Sequence, residues 1–245
     1  FHILNHATFK AALFMSAGIV DHEAHTRDLR KLGGLAAAMP ITATLATIAA
    51  ASMAGVMPLN GFLSKELMLE EAAHTVWAGQ AWLFPVVATL AALFSVAYAA
   101  RFAYGTFYAR PTADRPPHAH DPPFGMWLPV AILVVPVVTI GLFPETLAGP
   151  LVRSVTGAVT GTAPPEVTLK LWHGLTPALA MSVVALVGGI ALVGVWRPLD
   201  AIRRAVPRPE AKALFEGLVA VAVGLARTVS GHLHDGALPR YLAVT

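Results

Sequence analysis

The chain has 245 residues, of which 56% are hydrophobic and only 13% are charged, and its mean hydropathy is +0.64. Soluble domains carry charges on about a quarter of their residues, so this composition predicts an all-α protein that crosses a membrane several times. The net charge of +3 comes without a basic tract, which argues against a nucleic acid partner, and the absence of cysteine excludes disulfides and thiolate metal sites.

The first predicted span, residues 1–20, contains a row of ionisable side chains. His2, His6 and Lys10 are four residues apart, so in an α-helix they share one face at steps of about 6 Å. A lysine in the hydrocarbon costs about 2.5–3.5 kcal/mol unless it faces protein or water. We therefore expect a proton relay; the alternative is that Lys10 lies near a helix end and extends to the membrane surface. The chain opens in mid-helix, so we expect an internal piece of a longer polypeptide.

The second span, residues 36–73, is predicted to be broken within 41–73. Pro58 and Gly61 flank Asn60 in its middle, and Lys65 and Glu66 follow at once. Irregular backbone at membrane depth is tolerated only beside protein or a water-filled cavity, and broken helices often mark ion sites in transporters. The alternative is that the helix ends at Gly55 and "SKELMLEEA" forms a surface loop.

Three further spans and one interfacial helix are expected downstream. The spans are 81–100, 124–143, which Pro129 and Pro136 should kink, and 171–196; a partial span starts at 239. Residues 210–234 form an amphipathic pattern that favours a helix at the membrane interface or against the bundle over a short span.

The basic residues of the connecting loops predict the orientation. They are frequent after the first and fifth spans, absent after the second and intermediate elsewhere, which places loops one, three and five in the cytoplasm. Tryptophans lie at predicted span ends, as in an aromatic belt.

The remaining polar clusters are weaker candidates. "HAH" before Asp121, and the group His232, His234 and Asp235, have metal-ligand chemistry, but such histidines are usually solvated, so we expect no metal. The loop with Asp21, His22, Glu23, His25 and Asp28 is expected to be merely solvated. No nucleotide or other cofactor motif is present.

Several blocks resemble the proton-translocating antiporter family, which includes membrane subunits of respiratory complex I and of Mrp-type cation/proton antiporters. They are "HILNHATFKAALFMSAG", "TRDLRKLGGL", "MPIT" and "SMAGVMPLNGFLSKE". "GIVDHEAHTRDLRKLGGL" and the asparagine before "GFLSKE" are more similar to the A-type subunit of the Mrp antiporters, as are "LKLWHG" and "DGALPRYL". The first 75 residues carry most of the resemblance.

The resemblance implies roles for individual residues. Lys10 resembles the central lysine that passes protons along the membrane midplane, and His2 and His6 match the histidines before it. Lys65, with Glu66 beside it, resembles the lysine on the broken helix that ends the proton path. Arg101 matches an arginine that closes the next helix, and Pro58 and Asn60 are possible accessory residues. The family's first half, with its glutamate–lysine pair, is missing, so this fragment alone should transport nothing.

These observations predict one membrane domain fragment in a bacterial inner membrane. We expect proton-path helices in 1–108, a loop in 109–123, peripheral spans in 124–196, a cytoplasmic linker in 197–238 and a further span starting in 239–245. The predicted function is exchange of Na⁺ for protons within a hetero-oligomeric antiporter, with no cofactor. The alternatives are a proton-pumping subunit of an NADH-quinone oxidoreductase or related membrane hydrogenase, and a scaffold whose lysines form passive ion pairs.

Overall fold

A computed structural model describes residues 1–111, 118–161, 168–172, 174–205 and 211–233, and the regular structure in these ranges is helical. The chain divides into two compact units, Phe1–Trp196 and Arg197–Thr245. The described helices are α1 His2–Ala24, α2 Pro40–Ala54, α3 Asn60–His74, α4 Leu83–Ala103, α5 Phe124–Leu142, α6 Pro144–Leu147, α7 Gly149–Thr160, α8 Pro177–Gly194, α9 Trp196–Ala205 and α10 Ala211–Leu233.

Among the described residues, five helices are long and apolar enough to cross a membrane: α1, α4 with the π-helical turn Tyr104–Tyr108, α5, α8 and Ala211–Gly231 of α10. A polytopic helical membrane fold is thus confirmed. At about 1.5 Å per residue, the 23 residues of α1 extend about 35 Å, which exceeds the roughly 30 Å of hydrocarbon.

The predicted second span is broken in the structure. α2 has Pro40 in its first turn and ends at Gly55, whose φ of 82° is the left-handed conformation that glycine adopts without strain. After a short connection with a cis peptide bond before Pro58, α3 begins at Asn60 and buries Phe62, Leu63 and Leu69. The alternative of a surface loop after Gly55 is therefore wrong.

Small residues let the helices of the first unit pack closely. α1 packs against α2 and α5, and α4 packs against α2 and α8. Ala12, Ala46 and Ala49 are completely buried between them. At Gly189 of α8, a Cβ atom would lie 2.6 Å from the Cβ of Val96 in α4, so the two backbones approach to a distance that only glycine permits.

Two parts of the first unit differ from the sequence prediction. The last span begins at Pro177 rather than at residue 171, because the Thr176 hydroxyl accepts from the Leu179 amide and caps α8. The region between the last two spans contains α6 and α7, which no pattern had indicated. There Glu145 accepts from the Arg153 guanidinium and from the Leu169 amide at 2.8 Å. These hydrogen bonds, led by that from Arg153, hold the pKa of Glu145 below its usual value.

In the second unit, α10 covers most of the predicted amphipathic segment. Residues 211–231 of this helix are exposed within this chain, and Lys212 and Glu216 pair at 3.7 Å near its start. By length and composition, Ala211–Gly231 could also cross a membrane, so the interfacial helix stays a prediction. His234, Asp235 and the partial span predicted for 239–245 lie outside the described residues.

Candidate functional site

Three of the predicted ionisable residues, His2 and His6 of α1 and Lys65 of α3, meet at a cavity of about 300 Å³. Its wall comes from α1, the last turn of α2, α3 and α4. The polar and sulfur-bearing side chains in this wall include His2, His6, Met53, Ser64, Lys65 and Tyr98. The rest of the lining is largely apolar, so the polar groups are concentrated on a few positions.

The helical spacing places His2 and His6 on the same side of α1. Their ring centroids lie 5.5 Å apart, and both rings line the cavity. His2 Nδ1 is 3.2 Å from Ser64 Oγ, so this histidine contacts α3 directly. Both histidines are exposed within this chain, which leaves their remaining ring nitrogens accessible from the cavity.

Lys65 reaches back across the helix break to the end of α2. Its Nζ donates to the carbonyl oxygens of Met53 at 3.2 Å and Ala54 at 2.9 Å. Helix ends leave such carbonyls without intrahelical partners, and the negative end of the helix dipole favours a cation there. Gly55 makes room for the side chain, because a Cβ atom at this position would lie 2.9 Å from Lys65 Cδ. The break therefore creates the binding position of the Lys65 ammonium.

Lys10 lies well inside α1, so it is not a residue at a helix end. Its Nζ donates to Tyr98 Oη at 3.2 Å and to Met53 Sδ at 3.5 Å, and it lies 5.6 Å from the centroid of the Phe14 ring. The side chain is half-buried within this chain. Lys10 thus borders the cavity through Tyr98 and Met53.

A buried hydrogen-bond network fixes the helix break against α1. The side-chain Nδ2 of Asn60 donates to Asn5 Oδ1 at 3.2 Å and to Thr8 Oγ1 at 3.1 Å. The side-chain Oδ1 of Asn60 accepts from Ser52 Oγ at 2.7 Å. Asn60, Asn5 and Ser52 are fully buried. Gly61 is required by contact, because a Cβ atom there would lie 1.9 Å from the Ser52 carbonyl oxygen. These interactions hold the breakpoint in one position.

Pro58, Glu66 and Arg101 contact other parts of the bundle. The Pro58 carbonyl faces Gly141 of α5, where a Cβ atom would lie 2.1 Å from its oxygen. Glu66 is buried, and its Oε1 accepts from Thr176 Oγ1 at 3.4 Å, at the start of α8. The Arg101 guanidinium stacks 3.5 Å from the centroid of the Trp196 ring. The structure therefore brings His2, His6 and Lys65 to the cavity and Lys10 to its border, but Glu66 and Arg101 lie elsewhere.

Sequence reasoning missed several polar contributors to the site: Asn5, Thr8, Ser52, Ser64 and Tyr98. Each is a polar side chain inside an apolar helix, a signal that marks functional or packed positions in membrane spans. Their neighbours in sequence do not reveal their partners, because the contacts given above for these five residues join different helices.

His22 and His120 contact Glu23 at the end of α1, and Asp121, next to His120, caps α2. His22 Nδ1 and His120 Nδ1 lie 2.9 and 2.7 Å from the two oxygens of Glu23, whose exposed fraction is 8%, so the prediction of a merely solvated loop is wrong at Glu23. Asp121 caps α2 by accepting from the Ile41 and Thr42 amides at 2.9 and 3.0 Å.

Asp28, in the connection that follows α1, accepts from the side chain and the backbone amide of Arg30. These bonds lower its pKa to about 2. Asp28 is therefore a local partner of Arg30 and stays ionised near neutral pH.

Comparison with known proteins points to one family for this chain. A family model described as NADH:quinone oxidoreductase/Mrp antiporter, TM, matches residues 1–95. The chain is 47% identical over 218 residues to the A/B subunit of a probable K⁺/H⁺ antiporter of Rhizobium meliloti (strain 1021), covering 89% of this chain and 22% of that protein. It is 41% identical over 203 residues to the A1 subunit of a Na⁺/H⁺ antiporter of Staphylococcus aureus (strain JH9), covering 79% and 25%.

The fold comparison agrees. A chain in the structure of the Mrp complex from Dietzia sp. DQ12-45-1b matches with a TM-score of 0.76 and 32% identity, covering 98% of this chain and 26% of the other. The chain thus spans about a quarter of the length of the relatives that it matches.

Proposed function

Because the chain is a multi-pass cell-membrane segment of the Mrp A-type subunit, within the NADH:quinone oxidoreductase/Mrp antiporter family, we propose that it forms part of a secondary transporter that exchanges monovalent cations for protons. Its partners are then the lipid bilayer and the other subunits of a hetero-oligomeric complex. The relatives are named for K⁺ and for Na⁺, so the proposal covers both cations.

The proposed proton path runs through Lys10, His6, His2 and Lys65. The observation that carries it is the cavity of about 300 Å³ that His2, His6 and Lys65 share, with Lys10 bonded to its wall. At about 30 Å³ per molecule, this volume holds on the order of ten waters, enough to connect these side chains.

Each group has the chemistry that a relay needs. An imidazole accepts a proton at one nitrogen and releases one from the other, and a lysine in a poorly hydrated position loses its proton more readily than in water. When Lys65 releases its proton, its amine no longer balances the negative end of α2. That change in charge favours renewed protonation of Lys65 from the cavity. The loss or gain of charge at Lys65 or Lys10 also shifts the proton affinity of the other lysine.

Lys65→Arg tests the relay with little change in charge. Arginine keeps a cation and its donors but does not release a proton in proteins. We expect full-length protein with Lys65→Arg, assembled with its partner subunits, to lose at least about 90% of cation-driven proton flux in inverted vesicles, and we expect the same loss in Lys65→Ala. Lys170→Ala, which removes an exposed lysine outside the helices, is the matched control and should keep normal flux.

Normal flux in Lys65→Arg, with a normal amount of assembled complex, would contradict the proposal.

A proton-pumping subunit of an NADH-quinone oxidoreductase is the second candidate, favoured by the scope of the matching family. It predicts proton uptake that requires NADH oxidation and continues without Na⁺ or K⁺. The same vesicles distinguish the two functions when cation and electron donor are supplied separately.

A further inference from the structure

Tyr98 lies at the boundary between Lys10 and the cavity that contains Lys65. Lys10 lines a second cavity, of about 230 Å³, together with Leu13, Phe14, Ala17 and Phe102. Tyr98 and Met53 are common to the walls of the two cavities. These two side chains therefore lie between the Lys10 ammonium and the cavity that His6 and Lys65 line.

The hydrogen bonds at this boundary have a defined direction. Lys10 Nζ donates to Tyr98 Oη at 3.2 Å, and Tyr98 Oη donates to Met53 Sδ at 3.0 Å. The Tyr98 ring also contacts the ammonium, with its centroid 5.2 Å from Nζ. The ring thus holds Lys10 in place while the hydroxyl bridges Lys10 and Met53.

Only the hydroxyl among these groups has the chemistry to pass a proton on. An ammonium is a donor without an acceptor, and a thioether is a weak acceptor with no proton to release. A phenol hydroxyl accepts one hydrogen bond and donates another. Its present acceptor is weak, so a water in the cavity is a better acceptor and competes for the same proton.

We propose that the Tyr98 hydroxyl relays protons between Lys10 and the cavity that holds His6 and Lys65; this inference rests on the proposed function. In one transfer, Lys10 Nζ gives a proton to Tyr98 Oη while the O–H proton of Tyr98 passes to a cavity water. Lys10 becomes a neutral amine, Tyr98 regains its hydroxyl, and the water passes its extra proton to His6 or Lys65. No oxidant, reductant or other co-reactant is involved.

Tyr98→Phe removes the hydroxyl and keeps the ring that packs against Lys10. In full-length protein assembled with its partner subunits, we expect cation-driven proton flux to fall at least about tenfold, since a positioned proton donor or acceptor contributes about 10²–10⁴-fold to a proton transfer. The matched control is Tyr104→Phe, the same change at an exposed position of the turn that follows α4. It should leave flux and assembly unchanged.

A second readout separates proton transfer from packing. Site-specific replacement of Tyr98 by a fluorinated tyrosine keeps the hydroxyl and ring size but makes the hydroxyl more acidic. The titratable groups that share the two cavities with Tyr98 are Lys10, His2, His6 and Lys65, and all remain unchanged. We expect the pH profile of flux to shift toward lower pH in this variant but not when Tyr104 is replaced in the same way.

The outcomes distinguish this inference from the function on which it rests. Normal flux in Tyr98→Phe together with lost flux in Lys65→Arg would overturn the role of Tyr98 and leave the proposed function standing. Normal flux in Lys65→Arg would overturn the function itself. If Tyr98→Phe does not assemble, the fluorinated variant decides: an unshifted pH profile overturns the inference, and a shifted one supports it.

Discussion

Asn60→Ala should weaken the attachment of the helix break to α1. The substitution removes three buried hydrogen bonds, to Asn5, Thr8 and Ser52. Side-chain hydrogen bonds contribute about 0.6 kcal/mol each in membrane proteins and about 0.5–1.5 kcal/mol in proteins generally. Three of them give a loss of about 1.5–4.5 kcal/mol, before any gain from water that enters the space.

The assay measures the thermal stability of the full-length protein in detergent. The quantity recorded is the amount of monodisperse protein that remains after heating to each temperature. For an unfolding unit of the size of this chain, a loss of about 1.5–4.5 kcal/mol lowers the midpoint by roughly 3–18 °C at about 2–4 °C per kcal/mol. Thr44→Ala is the control, because Thr44 is exposed on α2 and its hydroxyl donates to the Pro40 carbonyl within its own helix. A midpoint within about 1 °C of wild type in Asn60→Ala would refute the view that this network fixes the break.

Two further predictions concern the contacts of the loops. Asp121→Asn removes the charge that faces the first turn of α2 and should lower the stability of that turn by about 1 kcal/mol. The Ile41 and Thr42 amides should then exchange hydrogen about fivefold faster. Unchanged exchange would contradict the capping role of Asp121. Because hydrogen bonds from Arg153 and Leu169 lower the pKa of Glu145, its ionised form stabilises the fold above the unfolded value near 4.5, and this stabilisation is lost as pH falls through the folded pKa. Wild type should therefore be more heat-stable than Glu145→Gln at pH 7, and the difference should shrink as pH falls below about 4.5. A difference that does not change with pH would contradict this assignment.

The sequence contained the local part of the site but not its connections. The four-residue spacing of His2, His6 and Lys10 is a property of one helix, and the break follows from Pro58 and Gly61 within a few residues of chain. Periodicity and backbone chemistry therefore predicted both features. The bonds from Lys10 to Tyr98 and from Asn60 to Asn5 join residues 88 and 55 positions apart, and no local pattern specifies such pairs.

The surroundings of Glu66 and Glu23 also could not be predicted from the neighbouring residues in sequence. Glu66 follows Lys65 directly in sequence, but consecutive residues of a helix point about 100° apart, so its carboxylate reaches Thr176 at α8 rather than the cavity. Glu23 belongs to a stretch rich in charged residues, yet His120 arrives from a distant loop and covers it. Burial in each case depends on a helix or loop that packs from elsewhere in the chain.

Met53 connects the break of the second span with both lysines. Its carbonyl oxygen accepts from Lys65 because α2 ends at Gly55 and leaves that oxygen without an amide partner, and its sulfur accepts from Lys10 and Tyr98. A continuous helix through residues 53–61 would direct the Met53 carbonyl to the amide of residue 57 and remove the acceptor for Lys65. The interruption by Pro58 and Gly61 thus lets one residue hold both amines: Lys65 binds the carbonyl oxygen of Met53, and Lys10 binds its sulfur.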